Sequence, residues 1–420
     1  MILRSIRQSL QPPNPMPEEL KLNLLHLVME MGLFGVFNAS TRAFLTVYAT
    51  RIHARPEQIG LLNAIPAITS ILLSLPSGVY LEKRSINKSA IVLGTLHRFF
   101  YLPLAFIPLL ASESAQVNWI LWVTLAMYIP YSTFILAFNS LFGSAVPIEW
   151  RGYFAGARNA LFAMVTIVMA LVSGFLLDRL TFPLGYQVVF GIGFVGAMMS
   201  TYHIGKLSLP PASAARVTAP EESREKISLR ARILLRLRLD ILRGPFMRVL
   251  LVLMAFHFTQ YLPLPLFPLY YVNELKLADQ TISIGTAIFY ASMFIGSLNH
   301  SKLASRFGHR WALGVGMIVL GMYPGILSLA RGAELYLIAN LFSGFAWSLC
   351  GGALSNYLLE NVPADSRPAY LAWFSLLANV GVLAGSLLGP MVSNAIGIVA
   401  ALVLFAVLRA ASGVAILRWG

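Results

Sequence analysis

Long apolar segments, separated by short polar ones, run through the whole chain. Runs such as residues 188–199 and 398–408 are continuously apolar. They lack the alternation of polar and apolar residues that a membrane β-strand shows. A helix needs about 20 apolar residues to cross about 30 Å of hydrocarbon. The pattern therefore predicts twelve membrane-spanning helices, at residues 24–48, 58–80, 89–110, 117–142, 152–176, 184–207, 247–272, 280–300, 311–330, 332–359, 369–391 and 393–416.

The composition agrees with a protein that crosses the membrane many times. Of the 420 residues, 57% are hydrophobic and 11% are charged, and the mean hydropathy is +0.72. A soluble domain carries about 25% charged residues. The composition therefore excludes an ordinary soluble enzyme, and the high apolar content excludes a disordered chain. Cys350 is the single cysteine, so no disulfide can form within the chain.

A polar segment in the middle divides the predicted helices into two sets of six. We expect a tail at residues 1–22, a first bundle at 23–207, a basic linker at 208–245 and a second bundle at 246–420. In the linker, residues 228–244 alternate Arg with Leu and Ile. This part is either a helix that lies on the membrane surface or a solvated connection between the bundles.

The net charge of +14 arises from 31 Lys and Arg against 17 Asp and Glu. Most of the basic residues lie in the linker and in the loops that follow even-numbered spans. Because positively charged loops stay in the cytoplasm, both termini are expected there. The charge then serves orientation and contact with anionic lipid, and no nucleic acid partner is required. We expect a monomer in a bacterial inner membrane.

Two short motifs occur once in each half of the chain, which is typical of an internal repeat. The first motif reads Val-Pro-x-acid-x-Arg. It follows the fourth span with Glu149 and Arg151, and the tenth span with Asp365 and Arg367. The second motif follows the second and the eighth spans. Its glycine and charged residues are Gly78, Glu82 and Lys83 in the first copy and Arg306, Gly308 and Arg310 in the second.

With this second motif the chain resembles the major facilitator superfamily of secondary transporters. The signature of that family, G-x-L-A-D-R-x-G-R-K, lies between spans two and three, and a degenerate copy lies between spans eight and nine. The resemblance implies an all-α membrane protein with twelve helices in two pseudo-symmetric six-helix bundles. It also implies one central site, alternating access by rocking of the bundles, and a cytoplasmic gate formed by the charged residues of both motifs.

Ionisable residues inside the predicted helices are costly in lipid, so each is a candidate functional residue. The candidates for proton coupling are His26, Glu30 and Arg98. On a helical wheel, one face of the first span, about 120° wide, holds His26, Glu30, Asn38 and Thr41. This polar face predicts a helix that lines a water-filled cavity. Glu30 is a proton carrier, one half of a structural ion pair with Arg98, or a contact for a cationic substrate.

The seventh span ends in a segment rich in proline. Pro263, Pro265 and Pro268 remove backbone donors, so a broken helix that serves as an outer gate is predicted here. In the family that the chain resembles, spans one, four, seven and ten line the cavity. The candidates for the substrate cavity are polar or aromatic residues of these spans: Asn38, Arg42, Tyr131, Asn139, His257, Gln260, Tyr261, Asn340, Trp347 and Asn356.

These features predict a secondary active transporter, not an enzyme, that moves a small amphipathic organic molecule. We expect coupling to protons and export. The alternatives are uptake of a nutrient or siderophore-like compound, and a non-transporting membrane protein on the same scaffold. No cofactor or metal is expected, because the sequence contains no Walker lysine motif and no H-E-x-x-H or C-x-x-C spacing. A G-x-G-x-x-G run at residues 191–196 lies inside the sixth span, where it cannot bind a dinucleotide.

Overall fold

The predicted architecture is present in the computed structural model, which describes residues 16–82, 84–208, 238–363 and 367–420. In these ranges the chain is helical, and twelve helices are long and apolar enough to cross a membrane. We name them α1 to α12. They are Glu18–Arg51, Pro56–Glu82, Ile86–Leu110, Glu113–Ala145, Ile148–Arg179, Leu184–Gly205, Phe246–Glu274, Asp279–His300, His309–Leu329, Ala333–Glu360, Arg367–Ile396 and Ile398–Trp419.

Several sequence predictions fall outside the described residues. The gate candidates Lys83 and Asp365 lie there, as do residues 1–15 of the tail and residues 209–237 of the linker. Both alternatives for the basic part of the linker therefore stay predictions. The described end of the linker, Leu239–Arg243, is a short 3-10 helix that leads into α7.

The helices pack mainly within two sets of six. In the first set, α1 packs against α5 and α6, and α4 packs against α2 and α3. In the second set, α9 packs against α10 and α12, and α7 packs against α11. The two sets meet along two seams, where α8 contacts α5 and α11 contacts α2. Each seam is therefore formed by one helix from each half.

Consecutive helices cross the membrane in opposite directions, so the two ends of the described chain lie on the same side. We call this side the terminal face; α1 begins there at Glu18, and α12 ends there at Trp419. The other side is the opposite face, where α1 ends at Arg51 and α8 begins at Asp279.

A row of glycines in α11 lets this helix contact the backbone of α7. A Cβ atom on Gly381 would lie 2.7 Å from the carbonyl oxygen of Met254, and one on Gly385 would lie 2.5 Å from that of Phe258. A Cβ on Gly389 would collide with the backbone of Leu262 in α7. Small residues at this spacing allow two helix backbones to approach closely, so the glycines serve packing.

This contact predicts opposite effects for two glycine substitutions. Gly385→Ala should lower the melting temperature of the purified protein, because the added methyl group overpacks the contact with α7 at a cost of about 1–3 kcal/mol. The control is Gly78→Ala, since no atom lies within 4 Å of the Cβ position of Gly78. Alanine is favoured over glycine in a helix by roughly 0.5–1 kcal/mol, so this variant should be at least as stable as the parent. Equal melting temperatures for both variants would contradict the packing role.

Candidate functional site

Polar contacts join the two halves at the opposite face. Nη2 of Arg51 in α1 lies 2.9 Å from Oδ1 of Asp279 in α8. The hydroxyl group of Tyr186 in α6 donates to the other carboxylate oxygen of Asp279 at 2.7 Å. A second link is the hydrogen bond from the amide of Asn394 in α11 to the carboxylate of Glu57 in α2. These contacts close the opposite face of the protein.

The polar face of α1 does not line a central cavity as predicted; much of it packs inside the first bundle. Nδ1 of His26 lies 3.0 Å from Nδ1 of His203 in α6. Thr41 is only 1% exposed and contacts Gly193 of α6. The polar partners of this face come from several helices that are distant in the sequence, among them His203 and Ser200 of α6 and Arg158 of α5.

Glu30 lies at the centre of a charged cluster between α1, α3, α5 and α6. Its carboxylate accepts a hydrogen bond from Nη2 of Arg158 at 2.9 Å and lies 3.6 Å from Nη2 of Arg98. The hydroxyl group of Ser200 donates to Glu30 at 3.2 Å and accepts a hydrogen bond from Arg98 at 3.1 Å. Glu30 is 4% exposed and Arg98 is 3% exposed. Two guanidinium groups share one carboxylate, so the cluster carries a net positive charge.

Aromatic rings of α4 cover the two arginines of this cluster. The guanidinium of Arg98 lies 4.9 Å from the ring centre of Phe134. That of Arg158 lies 5.3 Å from Phe138 and 5.2 Å from Phe142. The faces of these rings attract cations, which partly offsets the excess positive charge. Phenylalanines four residues apart on the fourth span were a signal for such a site that the sequence interpretation missed, together with Arg158 as a partner of Glu30.

Arg42 lies deep in the bundle, about 14 Å from Arg51 by helical rise. It ends a π-helical turn, Asn38–Arg42, within α1. Such turns insert an extra residue into a helix and are frequent at functional sites. Arg42 is exposed to solvent, whereas Thr41 before it is buried. Tyrosines from four helices lie near Arg42: Tyr101 of α3, Tyr128 and Tyr131 of α4, Tyr261 of α7 and Tyr290 of α8.

Contacts between the two halves lie on both sides of Arg42 along α1. One turn before it, Asn38 is buried and donates a hydrogen bond to the hydroxyl group of Tyr290 in α8 at 2.7 Å. The described hydrogen bonds between the halves lie at this level or nearer the opposite face. Because the opposite face is closed and Arg42 is exposed near side chains of both halves, we infer a central cavity around Arg42 that opens to the terminal face.

The remaining cavity candidates are distributed over several sites. Asn340 is buried and donates to the backbone oxygen of Tyr336 at 2.8 Å. His257 is partly buried, with Nδ1 2.8 Å from the backbone oxygen of Leu253. Asn139 is exposed. The structure therefore brings Asn38, Arg42, Tyr131 and Tyr261 together, but it does not gather every candidate around one point.

Two candidates on α10 also lie away from Arg42. Trp347 packs against the buried apolar residues of the second bundle. Asn356 is exposed and donates to the backbone oxygen of Gly352 at 3.2 Å. Tyr290 of α8, by contrast, is close to Arg42 but was not among the predicted cavity residues.

The predicted break in the seventh span is present. The helix Phe246–Tyr261 ends, residues 262–265 are not helical, and a short helix, Leu266–Leu269, follows. Tyr261, which interacts with Arg42, is the last residue before the break. The prolines therefore end the first helical part of α7 at the level of the cavity.

Arg409 of α12 stabilises this break. It is 1% exposed and donates to the backbone oxygen of Gln260 at 2.6 Å and of Leu320 in α9 at 3.2 Å. The carbonyl of Leu320 has no α-helical donor because the residue four positions later is Pro324. The carbonyl of Gln260 lies in the last helical turn before the break, where carbonyls lack helical donors. One guanidinium thus supplies both missing donors.

The described gate candidates contact their own halves. Arg151 donates to the backbone oxygen of Gly143 at 2.8 Å, at the end of α4. Arg310 donates to the backbone oxygen of Ile416 at 3.0 Å, at the end of α12. Both arginines cap helix C-termini. Open space surrounds the Cβ position of Gly78. The other described gate candidates are exposed at the terminal face: Glu82, Glu149, Arg306, Gly308 and Arg367. Their gate role stays a prediction.

The ion pair at the opposite face predicts a conformational shift. Asp279→Asn should favour opening of this face by about 1–3 kcal/mol, because it removes charged hydrogen bonds between the halves. Spin labels on Ser114→Cys and Arg331→Cys, both at this face, should then lie farther apart, as measured by double electron–electron resonance. Cys350 is buried and does not compete for the label. As a control, Glu274→Gln changes an exposed acid at the same face and should leave the distances unchanged. An unchanged distance in Asp279→Asn would contradict the closing role.

Comparisons with known proteins give a family match for the second half of the chain and a fold match for almost all of it. The sequence model of the Major Facilitator Superfamily matches residues 249–420. Sugar transport protein 11 from Arabidopsis thaliana is 25% identical over 125 residues, which are 29% of this chain and 24% of that protein. The chain therefore matches about a quarter of the length of this curated relative.

Several solved transporter structures cover almost the whole chain. The xylose transporter XylE from E. coli, in a partially occluded inward open conformation, has a TM-score of 0.69 at 13% identity and covers 95% of this chain and 97% of its own. The bacterial homolog of the human lysosomal transporter Spinster, inward-facing and occupied, has a TM-score of 0.68 at 14% identity. The match covers 94% of this chain and 96% of that protein. The nucleoside transporter NupG has a TM-score of 0.65 at 13% identity. The match covers 96% of this chain and 99% of that protein. The family model thus matches the second half of the chain, and almost the whole chain has the fold of these solved transporters.

Proposed function

We propose that the protein exports a small amphipathic organic molecule by alternating access, driven by proton entry. The observation that carries this proposal is the cavity around Arg42, which is closed at the opposite face and bordered by tyrosines of both halves. A ligand at this position would contact both bundles. Its binding could then bias their rocking, since a ligand shifts an equilibrium by its different affinity for the two states.

The charge distribution supports placing the terminal face in the cytoplasm. Loops on this face carry most of the described Lys and Arg residues, and such loops stay inside. The basic residues at the opposite face are Arg51, Arg55, Arg179, Lys276 and Arg331. In this orientation, in a bacterial inner membrane, the cavity is open to the cytoplasm and can load a cytoplasmic substrate.

Glu30 is our candidate for the coupling group. It is the one carboxyl group in the interior of the described spans. His26 lies one turn before Glu30, and its partner His203 lies one turn after Ser200, which donates to Glu30. The two histidines offer a proton path towards the terminal face. A proton on Glu30 would remove the anion that joins α1 to α3 and α5, which would loosen these contacts as the bundles rock.

Uptake is the second candidate, favoured by the names of the similar proteins, which transport xylose, nucleosides or sugars. Proteoliposomes distinguish the two directions. The probes are indole-3-acetate, indole-3-acetamide, tryptamine, xylose and uridine. Proton-driven export predicts that an acidic lumen drives accumulation of a probe. Accumulation driven by an acidic exterior would support uptake with protons, and the absence of any flux or proton movement would contradict transport.

The coupling role of Glu30 predicts a split between two activities. Glu30→Gln should reduce accumulation driven by a pH gradient to background, because the variant cannot carry the proton. Exchange of labelled for unlabelled probe, which needs no net proton movement, should persist and also reports a folded protein. The control is Glu18→Gln, which removes an exposed acid of the same helix that pairs only with Lys21 among described residues. Driven accumulation in Glu30→Gln would leave the cluster with a structural role.

A further inference from the structure

The charges in the interior of the described spans do not balance. Four arginines, Arg42, Arg98, Arg158 and Arg409, accompany one carboxylate, Glu30. Arg98 and Arg158 share that carboxylate, and Arg409 binds two backbone oxygens. The described ion pairs do not include Arg42. It is therefore the one interior arginine of the described spans with neither an acid nor a carbonyl as its hydrogen-bond acceptor.

The surroundings of Arg42 are uncharged but rich in donors and aromatic rings. No hydrogen bond within the described chain uses the hydroxyl groups of Tyr128, Tyr131 or Tyr261, although all three residues interact with Arg42 electrostatically. The rings of Tyr128 and Tyr131 pack edge to face, with centres 5.3 Å apart. The hydroxyl group of Tyr290, in contrast, is held by Asn38. Three free hydroxyls and their rings thus border a single exposed guanidinium.

An unpaired cation at this depth is costly in a membrane protein unless water or an anion reaches it. The central cavity gives such access from the terminal face. A guanidinium presents two parallel N–H groups that match the two oxygens of a carboxylate, and such bidentate pairs are strong. The flat rings beside it favour an apolar, planar body on the same ligand.

We propose that Arg42 determines specificity and that the substrate is an organic anion with one carboxylate on a flat, largely apolar body. This inference rests on the proposed transport function and names the substrate class of that same cavity. One carboxylate is expected because Arg42 is the one interior guanidinium of the described spans without a hydrogen-bond acceptor, whereas the arginines of the Glu30 cluster and Arg409 have their own. The tyrosine hydroxyls of both halves donate further hydrogen bonds to the carboxylate.

Three probes with the same ring system test the charge preference without requiring flux. Purified protein in lipid nanodiscs is titrated with indole-3-acetate, its neutral amide indole-3-acetamide and the cation tryptamine, and binding is followed by thermal shift and calorimetry. The carboxylate should bind at least about tenfold more tightly than the amide, as expected for hydrogen bonds to charged groups. Tryptamine should bind most weakly.

Two substitutions at Arg42 and one control assign the preference to this residue. Arg42→Gln should abolish the preference for the carboxylate over the amide, and Arg42→Lys should retain part of it. Arg331→Gln, which changes an exposed arginine at the opposite face, should behave like the parent protein. If Arg42→Gln is poorly folded, Arg42→Lys still tests the role, because loss of the bidentate geometry should reduce the preference.

Other outcomes would overturn the inference or separate it from the transport proposal. Equal affinity for the acid and the amide, tighter binding of tryptamine, binding of none of the three probes, or a preference that survives in Arg42→Gln would each contradict it. Flux of an uncharged probe without a carboxylate preference would leave transport standing and remove the inference. Binding of the carboxylate through Arg42 without flux would leave the inference standing and contradict the transport proposal.

Discussion

Placing a guanidinium at the centre of a membrane costs about 2.5–3.5 kcal/mol on insertion scales, and this chain does so four times. Each arginine meets the cost in a different way. Arg98 and Arg158 share the carboxylate of Glu30 and lie over phenylalanine rings of α4. Arg409 binds carbonyls that lack helical donors. Arg42 has neither kind of partner among the described contacts and is exposed. The arrangement of the helices around these four groups accounts for much of the architecture.

The broken helix α7 depends on the same constraint. Its carbonyls after Phe258 lose their regular donors because of the prolines, and Arg409 replaces one of them from the α12 side. On the other side, glycines of α11 approach its backbone closely. α7 is therefore held by a charged contact on one side and by close packing on the other. The break lies beside Tyr261, at the cavity, which is a suitable place for a change of helix direction during rocking.

The features that could be predicted from the sequence are those that depend on residues close together along the chain. The twelve spans follow from runs of apolar residues, and the break in α7 follows from three prolines within six positions. The glycines of α11 that approach α7 lie four residues apart, and this spacing is also a local property of the sequence. The partners of Glu30 could not be predicted in the same way. Arg158 and Ser200 lie 128 and 170 positions away, and only tertiary packing brings them together.

The helical wheel failed at one point for a specific reason. It assumed 100° per residue throughout α1, but the turn Asn38–Arg42 is π-helical. The extra residue changes the direction of the positions that follow, so Thr41 is buried against α6 and Arg42 is exposed. No residue in the sequence announces a π-turn in the way that proline announces a break. The residue with the strongest claim to a substrate contact was therefore placed beyond the polar face.

Among the interior arginines of the described spans, we infer that Arg42 alone is free and accessible. Modification of the wild-type protein with phenylglyoxal, an arginine-selective reagent, followed by peptide mass spectrometry, tests it directly. Arg42 should react readily, while Arg98, Arg158 and Arg409 should stay protected in the folded protein. Protection of Arg42, or modification of the other three at the same rate, would contradict the account.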